Sequence, residues 1–367
     1  MIRYLLTLAL ALIASPALAQ TVTSATKLTD GNGDGQIVVN KAVTTPQVKK
    51  GTVLFDCGSK AAPFVYAVGK PENCPAQVKT ATPLPIVDGK NKNGVYGVTT
   101  YPGPVRVGGA YRVIESYPTT VASNVKIDGL ATDDLQRGGI RLRGQIAGVT
   151  ISNSTFKFRA APQVTPNLPA CLEIGDKDAK TRITNVLVQN VICEGFQMTL
   201  APDRYWNGDG PTVEANVAGV RFDHVISRNN TDGCFDVKPY FTATDIVAEG
   251  CKRNLRIWKG ADIEHLTSIT PIKRGGSGVA QHVWIHGNDK APPVVHIGLL
   301  EVTSTNAAPI ITIEDGGAIV TIGRCKLDVP AGTPFRVGGS KNIKLTVGDG
   351  CVPPRQVGVP SGVPVPM

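Results

Sequence analysis

Aromatic side chains make up only 5% of this 367-residue chain, and methionine and histidine are scarcer still, at three and five. Beyond the first twenty residues no apolar stripe recurs with a 3.6-residue period, which leaves no long amphipathic helix to predict. No later segment approaches the roughly 18 consecutive apolar residues that a membrane-spanning helix needs. Cys-x-x-Cys pairs are lacking, which excludes zinc ribbons and thioredoxin-type chemistry. Gly-x-Ser-x-Gly elbows, Walker loops and dinucleotide fingerprints are missing too, which removes the commonest hydrolase and nucleotide-binding classes. The few histidines are scattered, and His282 and His286 fall on one strand instead of one helical turn, which argues against zinc.

What is abundant points to β structure. The chain carries 40 glycines and 27 prolines, which punctuate short Val-, Ile- and Thr-rich segments every few residues. Residues 1–19 read as a secretory leader, with Arg3, an apolar run over 4–13 and Ala17-Leu18-Ala19 as cleavage site. Removing Arg3 lowers the net charge from +9 to +8, which suits anionic partners without choosing among them. The eight cysteines form an even set in an exported chain, which signals disulfides. A secreted or periplasmic protein is expected.

Two kinds of short strand alternate along the chain. The first includes Gly-Ile140-Arg-Leu-Arg143, Cys-Leu172-Glu-Ile174, Cys-Phe235-Asp-Val-Lys238, Leu255-Arg-Ile-Trp258, Val283-Trp-Ile-His286 and Ile311-Thr-Ile-Glu314. The second follows each in turn, as in Val149-Thr-Ile-Ser, Val186-Leu-Val-Gln, Ile246-Val-Ala-Glu and Leu300-Glu-Val-Thr. Such an imperfect period of about 20 to 40 residues is the mark of a solenoid, because one repeat cannot bury its own apolar face and a stack of repeats can. The reading is an all-β protein, a right-handed parallel β-helix over 121–351. Residues 20–120 would form an irregular N-terminal β region and cap, and 352–367 a Pro-rich mobile tail. A β-sandwich is the competing fold, but two-residue hairpin turns between the strands are scarce.

Coils such as Asn124-Val-Lys-Ile-Asp and Asn185-Val-Leu-Val-Gln-Asn-Val resemble those of the pectate-lyase-type superfamily of parallel β-helices. In such a fold each neighbouring cysteine pair is about one coil apart, predicting Cys57–Cys74, Cys171–Cys193, Cys234–Cys251 and Cys325–Cys351.

With alternate residues turned inward, the first strand series presents an outward ladder. Its rungs are Arg141 and Arg143, Glu173, Gln197 and Thr199, Asp236 and Lys238, Arg256 and Trp258, Trp284 and His286, then Thr312 and Glu314. Cations beside exposed tryptophans suit an acidic sugar chain, because carboxylates meet the cations and pyranose rings stack on indoles. The insertion Asp203-Arg-Tyr-Trp206-Asn-Gly-Asp-Gly210 is a candidate binding wall. The expected partner is an acidic polysaccharide, with no nucleic acid and no membrane span, bound by a monomer.

The segment from Asn229 to Lys238, followed one coil later by Arg253-Asn-Leu-Arg256, resembles part of the alginate lyase and chondroitinase B family. That resemblance implies Lys238 as base, Arg256 as acid, and Ca²⁺ held by Asp232 and Asp236 with Glu173 or Asn230. β-Elimination fits these groups, because the C5 proton of a uronate becomes acidic once its carboxylate is neutralised. A second calcium-like motif, Asp30-Gly-Asn-Gly-Asp-Gly, copies half of an EF-hand loop but has Lys41 at the twelfth position, so a glycine turn is expected. A lyase is favoured. A non-catalytic carbohydrate-binding or surface-structural protein and a polygalacturonase-type hydrolase stand as alternatives, the hydrolase needing more clustered carboxylates than Asp232 and Asp236 alone.

Overall fold

A computed structural model describes residues 112–352, apart from 117, 119, 136, 159–162, 165–167, 179 and 200–204, together with the backbones of six short strands between Thr26 and Gly108. The expected leader, the Asp30 motif, the Cys57–Cys74 pair and all but the first residue of the tail lie outside the described residues. Every described element is a β-strand.

The strands form two large sheets. One contains ten strands, including Gly138–Leu142, Ala170–Ile174, Asp209–Val213, Gly233–Val237, Arg253–Ile257, Gln281–His286 and Ile311–Glu314, stacked in chain order. We call it the short-strand sheet. The other contains fifteen strands, among them Gln145–Phe158, Arg182–Glu194, Val217–Arg228, Phe241–Glu249, Gly260–Ile269 and Val294–Thr303. The chain alternates between the sheets, and each strand pairs with the strand of its own kind in the next repeat. All these pairings are parallel. The only antiparallel ones among the described residues join Thr26–Lys27, Val53–Asp56 and Val65–Val68. Parallel pairing also reaches back before residue 121, through Leu84–Pro85 and Arg112–Glu115.

Alternation of side chains drives this stacking. Ile140, Leu172, Phe235, Leu255, Val283 and Ile311 form an inward column, and Leu142, Ile174, Val213, Val237, Ile257, Ile285 and Ile313 form the next. Each is buried against Val, Ile and Phe of the long strands, in one continuous core. The long strands bend where a left-handed backbone is needed, and Asn or Gly fills those positions. Asn124, Gly148, Asn185 and Gly219 occupy equivalent places with φ of 52°, 80°, 56° and 66°. This is the physical content of the recurring Asn-Val pattern.

Cysteines 171 and 193, 234 and 251, and 325 and 351 form disulfides, with Cα separations of 5.7, 5.5 and 4.7 Å. The expected pairings 171–193, 234–251 and 325–351 are the ones observed. No helix among the described residues is long and apolar enough to cross a membrane.

One interior column is polar. His282, fully buried, accepts or donates at Nδ1 to Ser268 Oγ at 2.8 Å, and Asn254 Nδ2 donates to the same hydroxyl at 2.9 Å. Of the two histidines on this strand, His282 therefore faces in and His286 out. Burial pushes the His282 pKa down to about 3, from an ordinary value of about 6.5. The unfolded chain then binds a proton that the folded chain refuses, so stability falls as pH drops from about 6.5 towards 3, by up to about 4–5 kcal/mol. Urea midpoints measured between pH 7 and 4 should fall less steeply for His282→Gln than for the parent. Parallel slopes would show that His282 does not govern the acid limb.

Candidate functional site

The outer face of the short-strand sheet carries two columns fixed by the pairing register. The first runs Glu115, Arg141, Glu173, Thr212, Asp236, Arg256, Trp284, Thr312. Beside it, two residues further along their strands, stand Arg143, Glu214, Lys238, Trp258, His286 and Glu314. The sequence-derived ladder is thus correct in all but one rung. Gln197 and Thr199 do not belong to it, because Met198–Thr199 pairs with Gln163–Val164 in a separate two-stranded sheet. Their place is taken by Asp209–Val213, a strand that Asn-Gly-Asp-Gly-Pro disguises as a loop.

The centre of this face is a buried ionic cluster. Asp232 is 0% exposed and receives Lys252 Nζ at 2.6 Å, Arg253 Nη1 at 3.3 Å and Arg256 Nη1 at 3.3 Å. Arg256, 8% exposed, also meets Asp236 at 3.3 Å, and Trp258 Nε1 donates to Asp236 Oδ1 at 2.6 Å. Tyr205 is half exposed, yet its hydroxyl reaches in to 3.1 Å from Asp232 Oδ2 and 2.9 Å from Asn207 Oδ1. A third carboxyl, Asp209, lies beneath and accepts the Gly233 amide at 2.6 Å.

Burial and charge divide these acids. Burial alone would raise Asp232, but Arg256, Lys252 and Arg253 outweigh it and hold the carboxyl below its ordinary value. Asp209 is pushed up to about 7, first by burial and then by the charges of Asp232 and Asp236. Burial, followed by the charges of Asp209 and Asp232, raises Tyr205. Burial would lower Arg256, but Asp236, Asp232 and Asp209 more than reverse it. An arginine held this firmly in its charged form is a fixed cation and a poor proton donor.

Around the cluster Trp258, Trp284 and His286 pack together. The Trp258 ring centroid is 5.1 Å from that of Trp284 and 4.8 Å from His286, and Arg253 and Arg256 sit over Trp284 at 5.5 and 5.4 Å. The expectation of exposed tryptophans needs correction here. Trp284 is only 4% exposed, covered by the two guanidiniums. Trp206 is likewise buried, against Gly275 and Gly276, where a Cβ on Gly275 would lie 2.4 Å from the ring atom Cζ3. Only a glycine admits that contact. Trp258 and His286 remain partly open.

The remaining predicted residues are placed differently. Lys238 does not pair with Asp236; its ammonium is bound to Glu214. It shares the outer face with Arg256, but in the neighbouring column. Arg141, Arg143 and Glu173 form a second ionic group, in which Arg112, Arg137 and Arg141 surround Glu173 and Arg143 meets Glu115 at 2.9 Å. Glu173 is two strands from Asp236, roughly 9.6 Å away. Asn230 is turned inside, donating to Ser227 Oγ at 2.9 Å.

The proposed calcium ligands therefore do not fit a shared ion. Asp232, Asp236 and Glu173 are each already neutralised by lysine or arginine, and a divalent cation would meet those charges at short range. Nor do three or more metal-ligating side chains gather anywhere among the described residues. Lys252 escaped the sequence reading, and Tyr205 and Asp209 entered it only as parts of the 203–210 binding wall, because only the folded chain brings them to Asp232.

No family model, curated protein or solved structure matches the chain.

Removing one partner of a buried charge leaves the other uncompensated. Lys252→Met should cost about 3–5 kcal/mol in urea denaturation, and a loss below 1 kcal/mol would mean that Arg253 and Arg256 suffice for Asp232. Asp209 carries the opposite pH signature to His282. Its folded pKa is raised, so the stability from its bound proton is present below about 4 and lost as pH rises through about 7. Asp209→Asn should therefore gain stability over the parent between pH 5 and pH 8. A pH-independent difference would contradict the assignment.

Proposed function

We propose that this is an exported right-handed parallel β-helix of the pectate-lyase-like kind that acts on a uronate-containing polysaccharide. The sugar chain lies across the outer face of the short-strand sheet. The observation that carries this reading is the gathering of Lys238, Arg253 and Arg256 with the partly open rings of Trp258 and His286 on one face, cations for carboxylates and ring faces for pyranoses. Three disulfides suit an oxidising compartment.

The favoured chemistry is β-elimination. Lys238, once released from Glu214 and having passed its ammonium proton to solvent, takes the C5 proton of the uronate. The C5–H electron pair forms the C4=C5 double bond as the C4–O bond breaks, and the leaving glycosidic oxygen takes a proton from water. Arg253 and Arg256 supply the positive charge that neutralises the carboxylate as the enolate develops. This revises the role of Arg256 from acid to electrostatic stabiliser, because its two aspartates keep it charged.

Hydrolysis has its own supporting observation. Asp209 is held protonated near neutrality while Asp232 is held ionised, the division of labour that acid and base carboxyls require. Both lie behind Tyr205 and Arg256, so this route requires the 205–207 segment to move aside.

Polygalacturonate, alginate and chondroitin should be incubated with the protein while unsaturated uronate absorbance and reducing ends are followed separately. Absorbance together with new ends indicates the lyase, ends alone the hydrolase, and retention in affinity electrophoresis without either a binding module. Lys238→Ala should abolish elimination and shift stability by only about 0–1 kcal/mol, since its pair with Glu214 is partly solvated. Undiminished elimination by that variant would remove Lys238 as the base.

A further inference from the structure

The charge along the outer face is uneven. On and before the strand Arg253–Ile257 it carries Arg141, Arg143, Lys238, Arg253 and Arg256, interleaved with Glu115, Glu173, Glu214 and Asp236, so that cations and carboxylates are paired. Two strands further on, roughly 9.6 Å away, the character changes. There a cavity of about 540 Å³ is lined by Gln281, Thr312, Glu314, Asp315 and Ser340 among apolar side chains such as Val337, with no lysine or arginine among the described residues lining it. Glu314 is open to solvent, and the His286 ring meets Asp315 at 3.2 Å.

This cavity is furnished for hydroxyl groups. Thr312 Oγ1 is buried at its wall and has no hydrogen-bond partner. Unmet polar atoms on a water-excluded surface are costly unless a ligand satisfies them. Gln281 links the two regions: its Oε1 accepts Arg253 Nε at 3.3 Å, and its Nε2 lies 3.4 Å from Glu314 Oε1. Two carboxylates, an amide and the unpaired Thr312 hydroxyl can bind the hydroxyls of a sugar. A second uronate there would set its carboxylate against Glu314 and Asp315, and like charges so placed are disfavoured.

Resting on the polysaccharide reading above, we infer that this cavity is a subsite for an uncharged sugar. The polymer this protein recognises then has a uronate beside an uncharged residue, in place of a uronate at every position. Glu314 and Thr312 are the residues that set this selectivity, by repulsion of an anion and by hydrogen bonding to a hydroxyl.

The test compares two polymers by titration calorimetry and affinity electrophoresis. Hyaluronan alternates glucuronate with an uncharged N-acetylated hexosamine, and polygalacturonate bears a carboxylate on every residue. The parent protein should bind hyaluronan about tenfold or more tightly than polygalacturonate. Glu314→Lys, at an exposed position, should narrow or reverse that ratio by about tenfold with an unchanged melting temperature. Thr312→Val should weaken hyaluronan several-fold and leave polygalacturonate unaffected. Equal binding of both polymers, with a ratio indifferent to Glu314→Lys, would overturn the subsite and leave the polysaccharide reading standing. Binding of neither polymer would overturn both.

Discussion

A repeat of twenty to forty residues with one apolar face cannot exclude water from that face alone, and everything else in this protein follows from that shortage. The shortage is met by laying strands of the same kind side by side, so that Ile140, Leu172, Phe235 and Leu255 become one column of a shared core. Because side chains alternate, fixing the inward residues fixes the outward ones. A one-residue slip at Arg253–Ile257 would bury Arg256 in the core and expose Leu255. The register that protects the core is therefore also what sets Asp236, Arg256 and Trp284 in line.

Within that frame Asp232 imposes the second constraint. It sits at the turn into Gly233–Val237, without solvent, and needs the three cations that converge on it from the next repeat. Arg256 is shared between Asp232 and Asp236, and Trp258 caps the latter. The aromatic cluster is consequently positioned from below by charge and from the side by stacking. The 274–276 segment closes one flank: Arg274 Nη1 donates to Asn230 O at 2.9 Å while Gly275 admits Trp206. Site and scaffold are joined through hydrogen bonds to backbone carbonyls, which leave little freedom for the loops that frame the groove.

The sequence revealed those parts of the structure that depend on period. Phe235-Asp-Val-Lys238 and Leu255-Arg-Ile-Trp258 announce their facing by alternation alone, and cysteines one repeat apart announce their partners. It misled where local chemistry imitates something else. Asn207-Gly-Asp-Gly-Pro211 has the composition of a turn, yet Gly210 is there because a Cβ would fall 2.2 Å from the Cys234 carbonyl, inside a strand stack. It was silent where contact is between distant residues. Nothing near Lys252 indicates that its ammonium ends on Asp232, and nothing near Trp284 indicates that two guanidiniums will cover it. Outward on a strand does not mean exposed once neighbours on both sides are arginines and tryptophans.

Buried ionic networks are an inefficient way to hold a fold together. Desolvating each charge costs several kcal/mol, and apolar replacements of such clusters are frequently neutral or stabilising. The core here has no shortage of apolar columns to extend, so stability alone does not account for Asp209, Asp232, Asp236, Lys252, Arg253 and Arg256 in one place. What such a cluster supplies, and a hydrophobic patch does not, is preorganised charge: cations held rigidly at a surface where a ligand's carboxylate would otherwise have to reorient water. The same logic makes the unpaired Thr312 hydroxyl informative, since a partner bound in the adjoining cavity would remove its cost. Fixed cations and packed aromatic rings gather along one face of one sheet, while the opposite faces of the same strands are filled by Val, Ile and Phe. That asymmetry, more than any single contact, is the ground for the ligand-binding role proposed for the outer face of the short-strand sheet.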